Sequence, residues 1–217
     1  MLGLNFTSNK ISMPIREIIV QSPKKFEQTI KPFIKSEVSP FPRYKLKYSV
    51  TSPDSKYTMN ANTCTILGMS NGKDTFLGHF APEIEDSNFA DGLDYIIKKL
   101  QDATGELSAI ITGGHDFNIN NIIYQSKKSY DKLAEVGGLL DKNNVNSISI
   151  IAGKKSPLMV DNLAITKDKF ILSHRPEREQ FGLKFGKNLS KQDIQNLYAE
   201  KYSIVELDES HTINYLE

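Results

Sequence analysis

Residues 63–80 read TCTILGMSNGKDTFLGHF, and the Asn71-Gly72 pair near their centre is the strongest local signal in the chain. An Asn-Gly pair favours a two-residue type I′ turn, because both central positions of that turn need a positive φ. Apolar runs precede and follow the pair. The stretch therefore predicts a β-hairpin with strands over about residues 63–69 and 75–80.

A two-residue loop also predicts which residues of the hairpin lie opposite each other. Ser70 would face Lys73, and counting outward from that pair places Cys64 opposite His79. Directly opposed residues lie on one side of a sheet with Cβ atoms about 4.5–5.5 Å apart, within reach of a thiol–imidazole hydrogen bond. A slip of one residue would move them to opposite faces, so the predicted pair depends on the turn.

Cys64 and His79 are candidate catalytic residues because of what a thiol needs in order to react. A cysteine with a pKa of about 8.5 is mostly protonated at neutral pH, and a neighbouring imidazole favours the reactive thiolate. The alternative is that Cys64 is a small buried side chain in a hairpin that belongs to the core. Spacing alone leaves both interpretations open.

The rest of the chain predicts an alternation of helices and strands. The spacing of Phe89, Leu93, Ile97 and Leu100 is that of a helix buried on one face. A second helix is predicted over about residues 121–141, and further strands over about 44–50, 108–112, 147–152, 163–165 and 170–172. Because hairpins occur together with strand–helix alternation, the expected class is α/β or α+β, with a mixed β-sheet core flanked by helices.

Three regions are expected along the chain. Residues 1–43 are interpreted as an N-terminal extension, in which Phe26 and Ile30 belong to a short amphipathic helix before a proline-rich connector. Residues 44–173 form the expected core. Residues 174–217 are interpreted as a C-terminal extension with a helix over about residues 191–200.

Composition excludes several functional classes. The 217 residues include 27 basic and 26 acidic ones, so the net charge is +1. This balance lacks the excess of basic residues that is typical of nucleic-acid binding. The apolar runs are too short to span a bilayer, and the N-terminus does not resemble a secretory signal peptide. Cys64 is the only cysteine and the four histidines show no paired spacing, so no metal or other cofactor is expected.

Thr58, Cys64 and His79 together resemble the motif of chemoreceptor glutamine deamidases (the CheD family), a threonine six residues before a cysteine and a nearby histidine. The stretch GHFAP at residues 78–82 is similar to the His-Phe-x-Leu-Pro segment of that family. The stretch IITGG at residues 110–114 resembles its apolar strand that ends in a Gly-Gly turn. The cytotoxic necrotizing factors and the Burkholderia lethal factor are similar toxins with the same catalytic fold.

The resemblance covers roughly residues 44–172 and implies a CheD-like sandwich. It implies that Cys64 is the nucleophile, that His79 is its base, and that Thr58 orients the imidazole. The implied activity is deamidation of glutamine on a protein substrate, with no cofactor. His115 and Asp116, which follow the Gly-Gly turn, could form a second acid–base pair, but a polar turn is the simpler interpretation.

Departures from the family pattern favour a toxin or effector branch. Asn62-Thr63 precedes the cysteine where the family usually has glycine and serine. With no signal peptide recognised, the expected location is the bacterial cytoplasm, followed by delivery into a host cell by a signal-peptide-independent route. Three alternatives remain: a cytoplasmic chemoreceptor-type deamidase, a catalytically inactive interaction module, and, ranked last, a cysteine peptidase.

Overall fold

The computed structural model describes eleven segments of the chain. They are residues 17–36, 52–61, 63–82, 88–104, 106–114, 117–119, 122–124, 127–145, 147–152, 160–175 and 212–216. In chain order their elements are β1 (Glu17–Gln21), α1 (Pro23–Thr29), β2 (Ile34–Lys35), β3 (Lys56–Thr58), β4 (Thr65–Ser70), β5 (Thr75–Phe80), α2 (Phe89–Thr104), β6 (Ser108–Gly113), β7 (Phe117–Ile119), β8 (Ile122–Tyr124), α3 (Lys127–Lys142), β9 (Ser147–Ala152), β10 (Asn162–Ile165), β11 (Lys169–Ser173) and β12 (Thr212–Leu216).

The described strands form two large mixed sheets and a small hairpin. The six-stranded sheet has the order β12-β1-β11-β10-β3-β2, and the four-stranded sheet has the order β5-β4-β6-β9. β7 and β8 pair with each other. In the four-stranded sheet β4 runs antiparallel to both β5 and β6, whereas β9 is parallel to β6. A parallel pair needs a crossover connection, and α3 lies in the segment that joins β6 to β9.

The two large sheets pack face to face. Their shared apolar layer, which we call the inner core, includes side chains from both sheets: Ile18, Val20, Ile66, Leu77, Ile110, Ile151, Leu163, Ile165, Phe170 and Leu172. Gly68 lies at a close approach between the sheets, because a Cβ there would sit 3.0 Å from Leu163 Cδ2. The absence of a side chain at this position lets β10 lie tightly against β4.

Helices cover the outer faces of both sheets. The buried faces of α2 and α3 pack on the four-stranded sheet, around Leu67, Phe76 and Phe80. On the other side, Phe26 of α1 packs on Ile19 and Ile171 of the six-stranded sheet. α1 begins where its sequence favours a helix start, because Pro23 occupies the first turn and the Ser22 hydroxyl accepts a hydrogen bond from the Lys25 amide. The result is four layers: helix, sheet, sheet, helices.

A polar column at one side of the sandwich joins β3 to β5. Lys56 Nζ donates to Thr75 Oγ1 at 2.6 Å and to the Thr75 carbonyl at 3.0 Å. Next to it, the Ser36 hydroxyl donates to the Leu77 carbonyl at 2.8 Å. These contacts fix β3 across β5, and that placement positions the candidate site described below.

The expected class, mixed sheets with flanking helices, is confirmed, and two details differ. The helix predicted from about residue 121 is wrong at its start, since residues 122–124 form β8 and α3 begins at Lys127. The predicted boundaries at residues 44 and 173 do not follow the sheets, because β1 lies between β11 and β12. The strand predicted over residues 44–50 and the helix predicted over 191–200 lie outside the described residues.

A helix that crosses a bilayer needs about 20 consecutive, mostly apolar residues. No helix within the described part of the chain meets both requirements of length and apolarity.

Candidate active site

The hairpin predicted around Asn71 is present, but its loop has four residues rather than two. Ser70 pairs with Thr75, and Ile66 rather than Cys64 lies opposite His79. The predicted direct opposition of Cys64 and His79 is therefore wrong.

The longer loop follows from the contacts of the Asn71 side chain. Its Oδ1 accepts hydrogen bonds from the amides of Lys73 at 3.0 Å and Asp74 at 2.7 Å. Its Nδ2 donates to the Leu100 carbonyl near the end of α2 at 2.8 Å. An asparagine that bonds its own turn and a helix at the same time is satisfied in this loop and stays buried.

The change of register keeps His79 on the expected face. The pairing is displaced by two residues, and the side-chain period of a strand is also two, so the face does not change. His79 lies opposite Ile66, whose side chain belongs to the inner core, and Cys64 comes two residues before Ile66. In a regular sheet such diagonal neighbours lie about 7–8 Å apart, further than directly opposed residues.

Thr58 and His79 meet across the interface between the two sheets. Thr58 Oγ1 lies 2.8 Å from His79 Nδ1, and both side chains are buried, with exposed fractions of 1% and 2%. Thr58 is the last residue of β3, in the six-stranded sheet, and His79 lies in β5, in the four-stranded sheet. The hydrogen bond continues the column formed by Lys56 and Thr75 toward the end of β5.

The environment of His79 keeps its imidazole neutral. Burial, helped by the positive charge of Arg175, lowers the pKa of His79 to about 4. At pH 7 the ring therefore carries one proton and one lone pair. If Nδ1–H donates to the Thr58 hydroxyl, the lone pair is on Nε2, which can then accept a proton from another group.

Cys64 lies where the chain bends before β4. Its side chain is half-buried and packs against the inner core. Its carbonyl accepts a hydrogen bond from the Gly114 amide at 3.0 Å. Gly113 has a φ of +90°, and a Cβ on it would lie 2.1 Å from the Cys64 carbonyl oxygen, so no other residue fits beside Cys64.

Two neighbours of the site gave no signal in the sequence. Arg175 Nη2 donates to the Asn60 carbonyl at 2.6 Å, and Asn60 has a φ of +65°. Asparagine tolerates positive φ better than most residues, but a single Asn60 among other polar residues does not indicate a site. Arg175 follows β11 and is far from the motif in sequence, so only the fold brings it near His79.

The remaining site predictions concern metals and a second acid–base pair. Within the described segments no three His, Cys, Asp or Glu side chains are grouped so that they could hold a metal ion. His115 and Asp116 lie outside the described residues.

The chain matches no model of a known protein family, and no curated protein matches it.

Proposed function

We propose that this chain is a cysteine-dependent protein glutamine deamidase, with Cys64 as nucleophile, His79 as general base and Thr58 as the residue that orients the imidazole. The observation that supports it best is the buried hydrogen bond between Thr58 Oγ1 and His79 Nδ1. The motif resemblance assigned these two residues to one site, although they lie in different sheets. Cys64 lies just before β4 and packs against the inner core, to which Ile66, the residue opposite His79, also belongs.

The neutral imidazole defines how the nucleophile is activated. Because the pKa of His79 is lowered to about 4, a thiolate–imidazolium pair is not the resting state at pH 7. His79 Nε2 instead takes the thiol proton as Sγ approaches the carboxamide carbon of the substrate, which is general-base catalysis. Thr58 keeps the lone pair on Nε2 because its hydroxyl accepts a hydrogen bond from Nδ1–H.

The reaction then proceeds through a thioester. The Sγ–C bond forms, and backbone N–H groups near Cys64 stabilise the oxyanion. The C–N bond breaks as ammonia leaves with the proton held by His79. Water then gives a proton to His79 and attacks the thioester, and the Sγ–C bond breaks to yield glutamate and the thiol. If an amine replaces water, the same thioester gives a transglutamination product.

The biological setting belongs to the same proposal. The departures from the chemoreceptor pattern before Cys64 favour a toxin or effector that is made in the bacterial cytoplasm, delivered into a host cell and active on a host protein. A cytoplasmic deamidase of chemoreceptors is the alternative within the class.

A substrate test separates these settings. The full chain and its Cys64→Ser variant are incubated with host-cell extract and with a methyl-accepting chemoreceptor, and peptides are analysed by mass spectrometry for glutamine-to-glutamate conversion. Conversion by the wild type alone supports the proposal, and the sample in which it occurs identifies the setting. Conversion that persists in Cys64→Ser contradicts it.

A second candidate function is a catalytically inactive interaction module. It is favoured by the depth of His79, which is only 2% exposed and would then be a satisfied core histidine. Iodoacetamide labelling distinguishes the two functions without a substrate, because Cys64 is the only cysteine. Base assistance typically contributes about 10²–10⁴-fold, so a catalytic Cys64 should label at least tenfold more slowly in His79→Ala at pH 7. Labelling that occurs only after unfolding supports the inactive module.

A further inference from the structure

The segment between Thr58 and Cys64 is held by the ends of β10 and β11. The Asn60 amide donates to Asn162 Oδ1 at 2.9 Å, and the Ala61 amide donates to the Asp161 carbonyl at 2.9 Å. Asn60 also adopts a positive φ, which costs free energy unless surrounding contacts compensate for it. A segment that starts at the orienting threonine and ends at the nucleophile is therefore fixed at its middle.

Arg175 provides the remaining contact with this segment. Its guanidinium donates to the Asn60 carbonyl at 2.6 Å, and its own backbone amide donates to Asp161 Oδ2 at 3.2 Å. Both backbone groups of Asn60 are thus hydrogen-bonded, the amide to Asn162 and the carbonyl to Arg175. The positive charge of Arg175 also lowers the pKa of His79, with burial as the larger cause.

Resting on the proposed function, we propose that Arg175 is a positioning residue of the Cys64–His79 site. Its guanidinium holds the Asn60 carbonyl, in the segment that joins Thr58 to Cys64, and its positive charge adds to the effect of burial in disfavouring protonation of the His79 imidazole. A guanidinium suits both tasks, because it keeps its charge at every physiological pH and has several donors in a rigid plane.

Two substitutions separate these tasks. Arg175→Gln removes the charge and shortens the side chain, whereas Arg175→Lys keeps the charge but loses the planar donor group. Hydrogen exchange of the Asn60 and Ala61 amides reports how firmly the segment is held. The chemical shift of the His79 ring proton against pH reports the effect of the charge, and His79→Ala assigns that signal.

The expected results differ between the two readouts. Amide exchange at Asn60 and Ala61 should accelerate in both variants. The His79 titration midpoint should rise by about half a pH unit or more in Arg175→Gln and stay near the wild-type value in Arg175→Lys. A general loosening of the fold would move the midpoint equally in both variants.

An unchanged midpoint in Arg175→Gln, an equal shift in both variants, or unchanged exchange at Asn60 would overturn the inference. Neither readout needs a substrate or turnover. If these results are as expected but deamidation persists in the Cys64→Ser variant, the proposed function fails. The positioning role of Arg175 remains in that case.

Discussion

Thr58 and Thr65 are both buried threonines, yet their hydroxyls have different surroundings. Thr58 bonds His79, whereas Thr65 Oγ1 has no hydrogen-bond partner within the described part of the chain. Removing one partner of a buried hydrogen bond costs about 1–3 kcal/mol, because the other partner stays buried without it. Removing a hydroxyl that has no partner incurs no such cost.

Thr58→Val should therefore lower the free energy of unfolding by about 1–3 kcal/mol and slow the labelling of Cys64 at pH 7. Thr65→Val, the matched control, should leave labelling unchanged and either preserve or increase stability. Urea denaturation and iodoacetamide kinetics measure the two effects. Equal labelling rates in the two variants would show that the Thr58 contact does not affect Cys64.

The buried imidazole also predicts a dependence of stability on pH. The pKa of His79 is about 4 in the folded protein, against the ordinary 6.5 when unfolded, so between these values the unfolded chain binds more protons. By linkage, the neutral buried His79 contributes to the free energy of unfolding. This contribution is fully present above pH 6.5 and is lost as the pH falls toward 4. The loss amounts to about 3 kcal/mol.

The measurement is urea denaturation between pH 4.5 and 7.5 for the wild type and His79→Asn. Asparagine has no titrating ring and can still offer a hydrogen bond to Thr58. The difference in unfolding free energy between the two proteins should change with pH in the direction given above. A difference that is constant over this range would show that His79 titrates normally in the folded state.

At the scale of elements, the hairpin shows how much of a structure a short stretch of sequence can predict. Asn71-Gly72 and the flanking apolar runs predicted the hairpin and the bounds of β5, because turn chemistry and apolar pattern are local properties, but β4 begins at Thr65, two residues later than predicted. They did not predict the register, which depends on the bond from Asn71 to the Leu100 carbonyl in α2. The Thr58–His79 contact depends on β3 crossing β5, and neither spacing nor periodicity contains that information.

The turn at the end of β6 gives a prediction at the same scale. Gly113→Ala would place a methyl group 2.1 Å from the Cys64 carbonyl oxygen at a φ of +90°. We expect a loss of about 2 kcal/mol or more, together with a changed labelling rate, because the backbone at Cys64 must move. Both are measured by urea denaturation and iodoacetamide kinetics.

Gly138→Ala is the matched control. Gly138 is an exposed helical position of α3, and an added Cβ there meets nothing within 4 Å. The substitution should stabilise the protein by about 1 kcal/mol through helix propensity and leave Cys64 labelling unchanged. If Gly113→Ala behaved in the same way, the close approach to Cys64 would have no consequence.

For the whole molecule, the question is which residues make up the folding unit. The core expected from the sequence spans residues 44–173, but the sheets extend beyond it. Ile18 and Val20 of β1 belong to the inner core, and Phe26 of α1 covers the opposite face of the six-stranded sheet. A motif is local in sequence, and it carries no information about which distant strand completes a sheet.

A fragment of residues 44–173 should therefore not fold cooperatively. Without β1, the edge of β11 and the apolar side chains of Phe170 and Leu172 lose their cover, and an exposed apolar strand edge promotes aggregation. A fragment of residues 1–175 retains β1 and α1 and, among the described elements, lacks β12 alone, which pairs with the outer edge of β1. It should keep a cooperative thermal transition at a lower temperature, with faster hydrogen exchange at β1. Circular dichroism melts of the two fragments and the full chain test this, and a cooperative transition for residues 44–173 would show that β1 is dispensable.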